Sequence, residues 1–156
     1  MTEEKASHVN YLDEKILKDL CHTMACELFQ EEEPMGLYED HDKSKLDSCL
    51  NLPKAAFGGQ ELYPDVFKKA AITFYAFNRN HAFGNGNKRL SVASFAVFLY
   101  INDWALMADP AVLRDKALWL AQTDKSVGEV VEELAEWAKE HCIPVSEFEK
   151  REEKSV

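Results

Sequence analysis

Nine consecutive residues, His81-Ala82-Phe83-Gly84-Asn85-Gly86-Asn87-Lys88-Arg89, hold most of the chemistry this chain can offer. Gly84 and Gly86 alternate with Asn85 and Asn87, and both residue types tolerate positive φ. Such a run can turn successive backbone N–H groups toward one point, an anion-binding nest. A helix starting at Asn87 would add free N–H groups that favour a phosphate. Lys88 and Arg89 would then lie in the first turn, where the helix dipole disfavours each cation by about 0.3–1 kcal/mol. A bound polyanion reverses the sign of that cost. His81, at the other end of the run, can exchange a proton near neutral pH. The same residues would also serve as a plain Gly-Asn link between helices, with an exposed His and two solvated bases.

The elements that must position this loop read as helices. Residues 11–29 place Leu12, Ile16, Leu17, Leu20, Met24 and Leu28 at a period near 3.6, and Glu31-Glu32-Glu33-Pro34 stops the pattern. Residues 40–50 read as a short helix closed by Pro53. Phe57-Gly58-Gly59-Gln60 is a break that suits a small hairpin or flap. Pro64 opens a helix to about Asn78, with Val66, Phe67, Ala70, Ala71, Phe74 and Phe77 inward. A loop over residues 80–86 follows. Residues 87–101 are apolar nearly all round, which predicts a buried central helix. Asp109-Pro110 supplies a cap and a Pro at the first helical position of the next helix, to about Gln122. Ser126 and Glu129 fit a capping box ahead of Val130, Val131, Leu134, Trp137 and Ala138. The charged residues 146–156 read as a frayed tail. The fold class is therefore all-α: one compact helical domain over residues 1–145, a tail over 146–156, and room for a small β flap.

The 156 residues are 46% hydrophobic, enough for a core without disulfides or metals to staple it. The net charge of −10 argues against nucleic acid, since phosphate neutralisation needs clustered bases. The charge is uneven, however. Residues 61–100 carry Lys68, Lys69, Arg79, Lys88 and Arg89 against Glu61 and Asp65, a local excess that suits a small anionic ligand. The most apolar run, residues 93–101, falls well short of the roughly 18–20 a membrane span needs. The acidic start Met1-Thr2-Glu3-Glu4-Lys5 lacks the apolar stretch of a signal peptide, and a cytoplasmic location is expected. Cys21, Cys26, Cys49 and Cys142 form no CxxC pair, so neither a zinc site nor a disulfide framework is indicated. His22 and Cys26 could share a helix face, but two ligands make a poor metal site.

The string HAFGNGNKR resembles the signature of the Fic/Doc family. The Fic branch reads HxFx(D/E)GNGRxxR; the Doc (death-on-curing) branch reads close to HxFx(D/N)(A/G)NKR. This chain is similar to the Doc form throughout its nine residues. The likeness extends upstream to Phe57-Gly58-Gly59-Gln60-Glu61-Leu62-Tyr63-Pro64 and to Lys68-Lys69-Ala70-Ala71, and covers about residues 46–104. It implies that His81 is the general base that takes the proton of a target hydroxyl. It implies that Gly86, Asn87, Lys88 and Arg89 hold the phosphates of ATP or another nucleoside triphosphate, with Arg79 as a further phosphate contact. Phe83 would point inward and pin the loop. Asn85 would stand at the Mg2+ position, and Phe57, Gly58, Gly59 and Gln60 would form the flap that positions the target.

Three departures from the Fic form matter. Asn85 replaces an acid, and its neutral amide oxygen should hold Mg2+ more weakly. Lys88 replaces a small Gly, and Val92 replaces the last Arg. Those changes favour the Doc branch, for which the resemblance implies transfer of the terminal phosphate, a target such as translation elongation factor Tu, and an antitoxin acting in trans. AMP transfer by a Fic-type enzyme and a pseudoenzyme that only binds nucleotide or protein are the competing readings. The inhibitory pattern (S/T)xxxE(G/N) of many Fic proteins has its nearest match at Thr23 to Glu27, where Leu28 stands in place of Gly or Asn. Ser126-Val127-Gly128-Glu129 has the wrong spacing for it.

Overall fold

The computed structural model describes residues 8–29 and 35–155. Helix α1 (Glu14–Ile16) starts at Asp13, whose carboxylate accepts from the Ile16 N–H. It continues through a π-helical segment, Leu17–His22, into α2 (Thr23–Glu27). Its buried residues are Leu17, Cys21 and Ala25; of the apolar face expected of it, Ile16 and Met24 are half-buried and Leu20 is exposed. It ends at Glu27, where Leu28 turns extended. The stop signal at Glu31-Glu32-Glu33-Pro34 lies outside the described residues.

A 3-10 turn, Tyr38–Asp40, leads to α3 (Lys43–Asn51), capped by Asp42, and then to a second 3-10 turn, Leu52–Lys54, containing Pro53. The flap is a two-residue hairpin, β1 (Ala56–Phe57) against β2 (Gln60–Glu61). Gly58 and Gly59 turn it with φ of 60° and 80°, the left-handed pair a tight hairpin turn requires. Helix α4 (Val66–Arg79) starts one turn-cap later than Pro64, because the Asp65 carboxylate accepts from the Lys68 N–H.

Helix α5 (Asn87–Ile101) runs through the middle, with Leu90, Val92, Ala93, Phe95, Phe98 and Leu99 all buried. Burying side chains of this size stabilises by about 1.5–3 kcal/mol each, so α5 anchors the loop that precedes it. Phe95 packs on Phe74 of α4 with ring centroids 4.7 Å apart. Helices α6 (Pro110–Gln122) and α7 (Val127–His141) complete the wall around it. Ser126 caps α7 through the Glu129 N–H, as its capping-box sequence predicts. At α6 the Asp109 side chain makes no cap bond, and Pro110 alone marks the start.

Two features were not legible. Strand β3 (Trp104–Leu106) pairs antiparallel with β4 (Cys142–Pro144), tying the end of α5 to the end of α7. The tail expected to fray instead forms α8 (Val145–Lys154). A Glu147–Arg151 ion pair at 2.7 Å supports it, and Phe148 meets Tyr100 edge-on at 6.3 Å. No helix among the described residues is long and apolar enough to cross a membrane.

Candidate functional site

The loop between α4 and α5 is built around one buried ring. Phe83 is 3% exposed, while its neighbours His81, Gly84 and Asn85 face solvent. His22, Tyr38 and His41 surround that ring, with centroids 5.9, 6.0 and 5.8 Å from it. The loop is closed from behind by Asn87. Its Oδ1 accepts from the Phe83 N–H at 3.1 Å and its Nδ2 donates to the Phe83 carbonyl at 2.7 Å. A further bond from the Asp42 N–H to the Ala82 carbonyl, 2.7 Å, ties the loop to the start of α3.

That anchoring sets two unusual backbone angles. His81 has φ 50°, a left-handed conformation uncommon for a residue with a side chain. It follows Asn80, the C-cap of α4, at a position where helices commonly turn left-handed. Gly86 has φ 85° at the N-cap of α5 and offers no capping side chain. The first intrahelical bond there runs from the Leu90 N–H to the Gly86 carbonyl, 2.9 Å. The N–H groups of Asn87, Lys88 and Arg89 therefore have no acceptor within the helix. Met35 lies against Gly86, where a Cβ would collide with its Sδ. The Gly36 carbonyl behind Met35 is bonded to His22 Nε2 at 2.8 Å.

In front of the loop opens a cavity of about 710 Å³. Its lining brings together His81, Gly84, Asn85, Gly86, Asn87, Lys88 and Arg89 with Asn78 and Arg79 of α4 and Arg114 and Ala121 of α6. Among the described residues it contains four cationic side chains and no carboxylate. In a chain of net charge −10 this is a pronounced inversion, and it suits a polyanion.

A family model described as Fic/DOC family matches residues 11–99, which span the loop and both of its helices. The chain belongs to the Fic/Doc family. It is also 36% identical over 105 residues to a protein named Toxin Doc from Mycolicibacterium smegmatis, covering 66% of this chain and 81% of that one.

Some residues expected in the Fic/Doc site have partners within the fold. The Asn87 side chain is bonded to the Phe83 backbone, which leaves its own backbone N–H at the start of α5. Arg79 lines the cavity, but its guanidinium donates to the Leu120 carbonyl at 3.1 Å and the Thr123 carbonyl at 3.2 Å. It caps the C-terminal end of α6, where a cation is favoured. Phe57, Gly58, Gly59 and Gln60 form the hairpin, yet none of them lines the cavity. The flap is held from its base instead. Buried Lys69 donates to Glu61 Oε1 and to the Pro53 carbonyl, both at 3.0 Å. Arg114 was not foreseen, because a lone Arg on an amphipathic helix carries no motif.

Asn85 stands at the expected Mg2+ position of the Fic/Doc loop, exposed and neutral. Among the described residues no group of three or more His, Cys, Asp or Glu could hold a metal ion. A protein-held Mg2+ normally has at least one carboxylate, so these residues do not fit a metal held by the protein. No cysteine is among the described residues that line the cavity. Burial pushes the Cys21 thiol up to about 12, with the Ser94 hydroxyl pulling slightly the other way, and pushes Cys142 up to about 11. Both stay protonated at neutral pH.

Proposed function

We propose that this protein is a Doc-like toxin that transfers the terminal phosphate of a nucleoside triphosphate to a hydroxyl of a target protein. The observation that carries the reading is a single one. His81, held in a left-handed backbone, borders a cavity with four cationic side chains and no carboxylate among its described lining residues. Strained backbone at a cavity edge is typical of catalytic positions.

The reaction follows from those groups. The target hydroxyl is held at His81, whose imidazole takes its proton as the oxygen attacks the γ-phosphorus. The bond between that phosphorus and the β–γ bridging oxygen breaks, and the nucleoside diphosphate leaves with the electron pair. Lys88, Arg89 and the N–H groups at the start of α5 offset charge on the phosphoryl oxygens, where electrostatics contributes most. The cost of placing two cations at a helix N-terminus is recovered when the polyanion binds.

Lys88 decides which phosphorus is attacked. A Gly there would leave room for phosphates deep against the helix N-terminus. A Lys fills that space with its stem and a compact charge. In-line attack then meets the γ-phosphorus. Similarity to a protein named Toxin Doc supports an antitoxin that acts in trans, and translation elongation factor Tu is the first target to test.

The deciding experiment incubates the purified chain with a candidate target and ATP labelled at the γ or the α position. Label from γ alone is expected. Label from α would mean AMP transfer, and no label from either would mean a binding module without catalysis.

A further inference from the structure

Helix α6 lies outside the loop motif, yet it supplies one wall of the cavity. Asn78 Nδ2 donates to the Ala117 carbonyl at 3.1 Å, and Arg79 donates to the carbonyls of Leu120 and Thr123. Three carbonyls spaced three residues apart are thus tied to the end of α4. This tether fixes which face of α6 meets the loop. Arg114 and Ala121 are seven residues, two turns, apart on that face, and both line the cavity. Arg114 is half-buried, and its guanidinium lies over the Phe29 ring, 6.0 Å from the centroid. The charged side chains of α5 are confined to Lys88 and Arg89 in its first turn. Arg79 Nη1 is engaged by the carbonyls at the end of α6. Arg114 is the cationic side chain that α6 itself adds to the cavity lining.

We propose that Arg114 binds the phosphate chain of the nucleotide from the α6 side, opposite Lys88 and Arg89. A guanidinium in that place can grip phosphate oxygens with a planar fork, which a Lys cannot do. The inference rests on the nucleotide reading of the same cavity, and the test separates the two.

The full chain is titrated calorimetrically with ATP and, separately, with inorganic tripolyphosphate. Arg114→Ala should weaken both by about tenfold or more, the loss expected for one charge-assisted forked contact. Arg114→Lys should fall between. Equal loss for the two probes places the effect on the phosphate chain. If Arg114→Ala binds both within twofold of wild type, the inference is wrong. If ATP weakens and tripolyphosphate does not, Arg114 reads the nucleoside and the inference is equally wrong. If wild type binds neither probe, the nucleotide reading itself fails and takes this one with it. Thermal melting accompanies each variant. A lowered Tm that Lys restores together with full binding would assign Arg114 a structural role. Should Arg114→Ala not fold, Arg114→Gln, similar in length and uncharged, carries the same decision.

Discussion

Asn87 offers the sharpest separation between a residue that holds the loop and one that holds the ligand. Its amide makes two hydrogen bonds to the backbone of Phe83 and is 8% exposed. Replacing it with Ala leaves the Phe83 N–H and carbonyl without partners. Each such group costs about 1–3 kcal/mol when kept from water. Gly84 and Asn85 beside them are exposed, so water can relieve part of the cost. A loss of about 2–4 kcal/mol follows. For a domain of this size, each kcal/mol lowers Tm by roughly 2–4 °C, so the variant should melt about 4–16 °C lower. Transfer should fall as well, because the N–H groups at the start of α5 and His81 are aligned through this staple. Asn87→Asp refines the test. One carboxylate oxygen can still accept from the Phe83 N–H, but the other faces the Phe83 carbonyl and repels it. That variant should be weakened at neutral pH and recover as the new carboxyl protonates in acid. The assays are thermal unfolding followed by circular dichroism and the labelled-phosphate transfer rate. An Asn87→Ala protein that melts within 1 °C of wild type and transfers normally would refute the staple.

His81→Ala should keep the fold and lose transfer by about 10²–10⁴, the usual contribution of a positioned base; a smaller loss would contradict the role. Gly86→Ala should weaken ATP binding and lower Tm, since φ 85° costs a side chain about 1–2 kcal/mol and the new Cβ displaces Met35; unchanged melting would show that the turn relaxes freely. Lys88→Gly should reduce phosphate transfer sharply, read by intact mass as loss of the product heavier by roughly 80 Da, and a wild-type product heavier by roughly 329 Da would instead mean AMP transfer. Stability should decline as pH rises above about 9, because the unfolded chain loses the Cys21 proton at its ordinary value of 9.0 while the folded chain keeps it to about 12; Cys21→Ala should flatten that slope by up to about 1.4 kcal/mol per pH unit.

Most helices of this domain were readable because they carry their own local signals. Residues 87–101 are apolar on every face, and α5 spans those residues. Ser126 stands where a cap must stand and makes the bond, whereas Asp109, read as a cap, makes none, and the cap at Asp65 was not read. The β3–β4 pair has no such signal. Two three-residue strands distant in sequence leave no periodicity, and their pairing follows only once α5 and α7 have packed. Helix α8 escaped for a related reason. Its support comes from Phe148 meeting Tyr100, a contact between distant segments, while its composition alone reads as a solvated tail.

The site divides along the same line. The loop was legible because left-handed backbone, anion-binding N–H groups and a proton acceptor must be neighbours in sequence to be neighbours in space. What each side chain touches was not. Asn87 and Arg79 looked like ligands because an amide and a guanidinium beside a nest are good phosphate donors. In the structure the Asn87 amide bonds the buried backbone of Phe83, and Arg79 Nη1 donates to the Leu120 and Thr123 carbonyls at the end of α6. An unsatisfied buried backbone group costs as much as a ligand contact contributes, and it must be satisfied whether or not ligand is present. Polar residues near such groups are therefore claimed by the fold first. Arg114, which lines the cavity from α6, comes from a helix whose sequence has no motif. The tether between α4 and α6, together with the packing of α6 on α5, brings it to the loop. In this domain the residues proposed to bind are legible where the backbone would do the binding, and hidden where packing delivers the side chain.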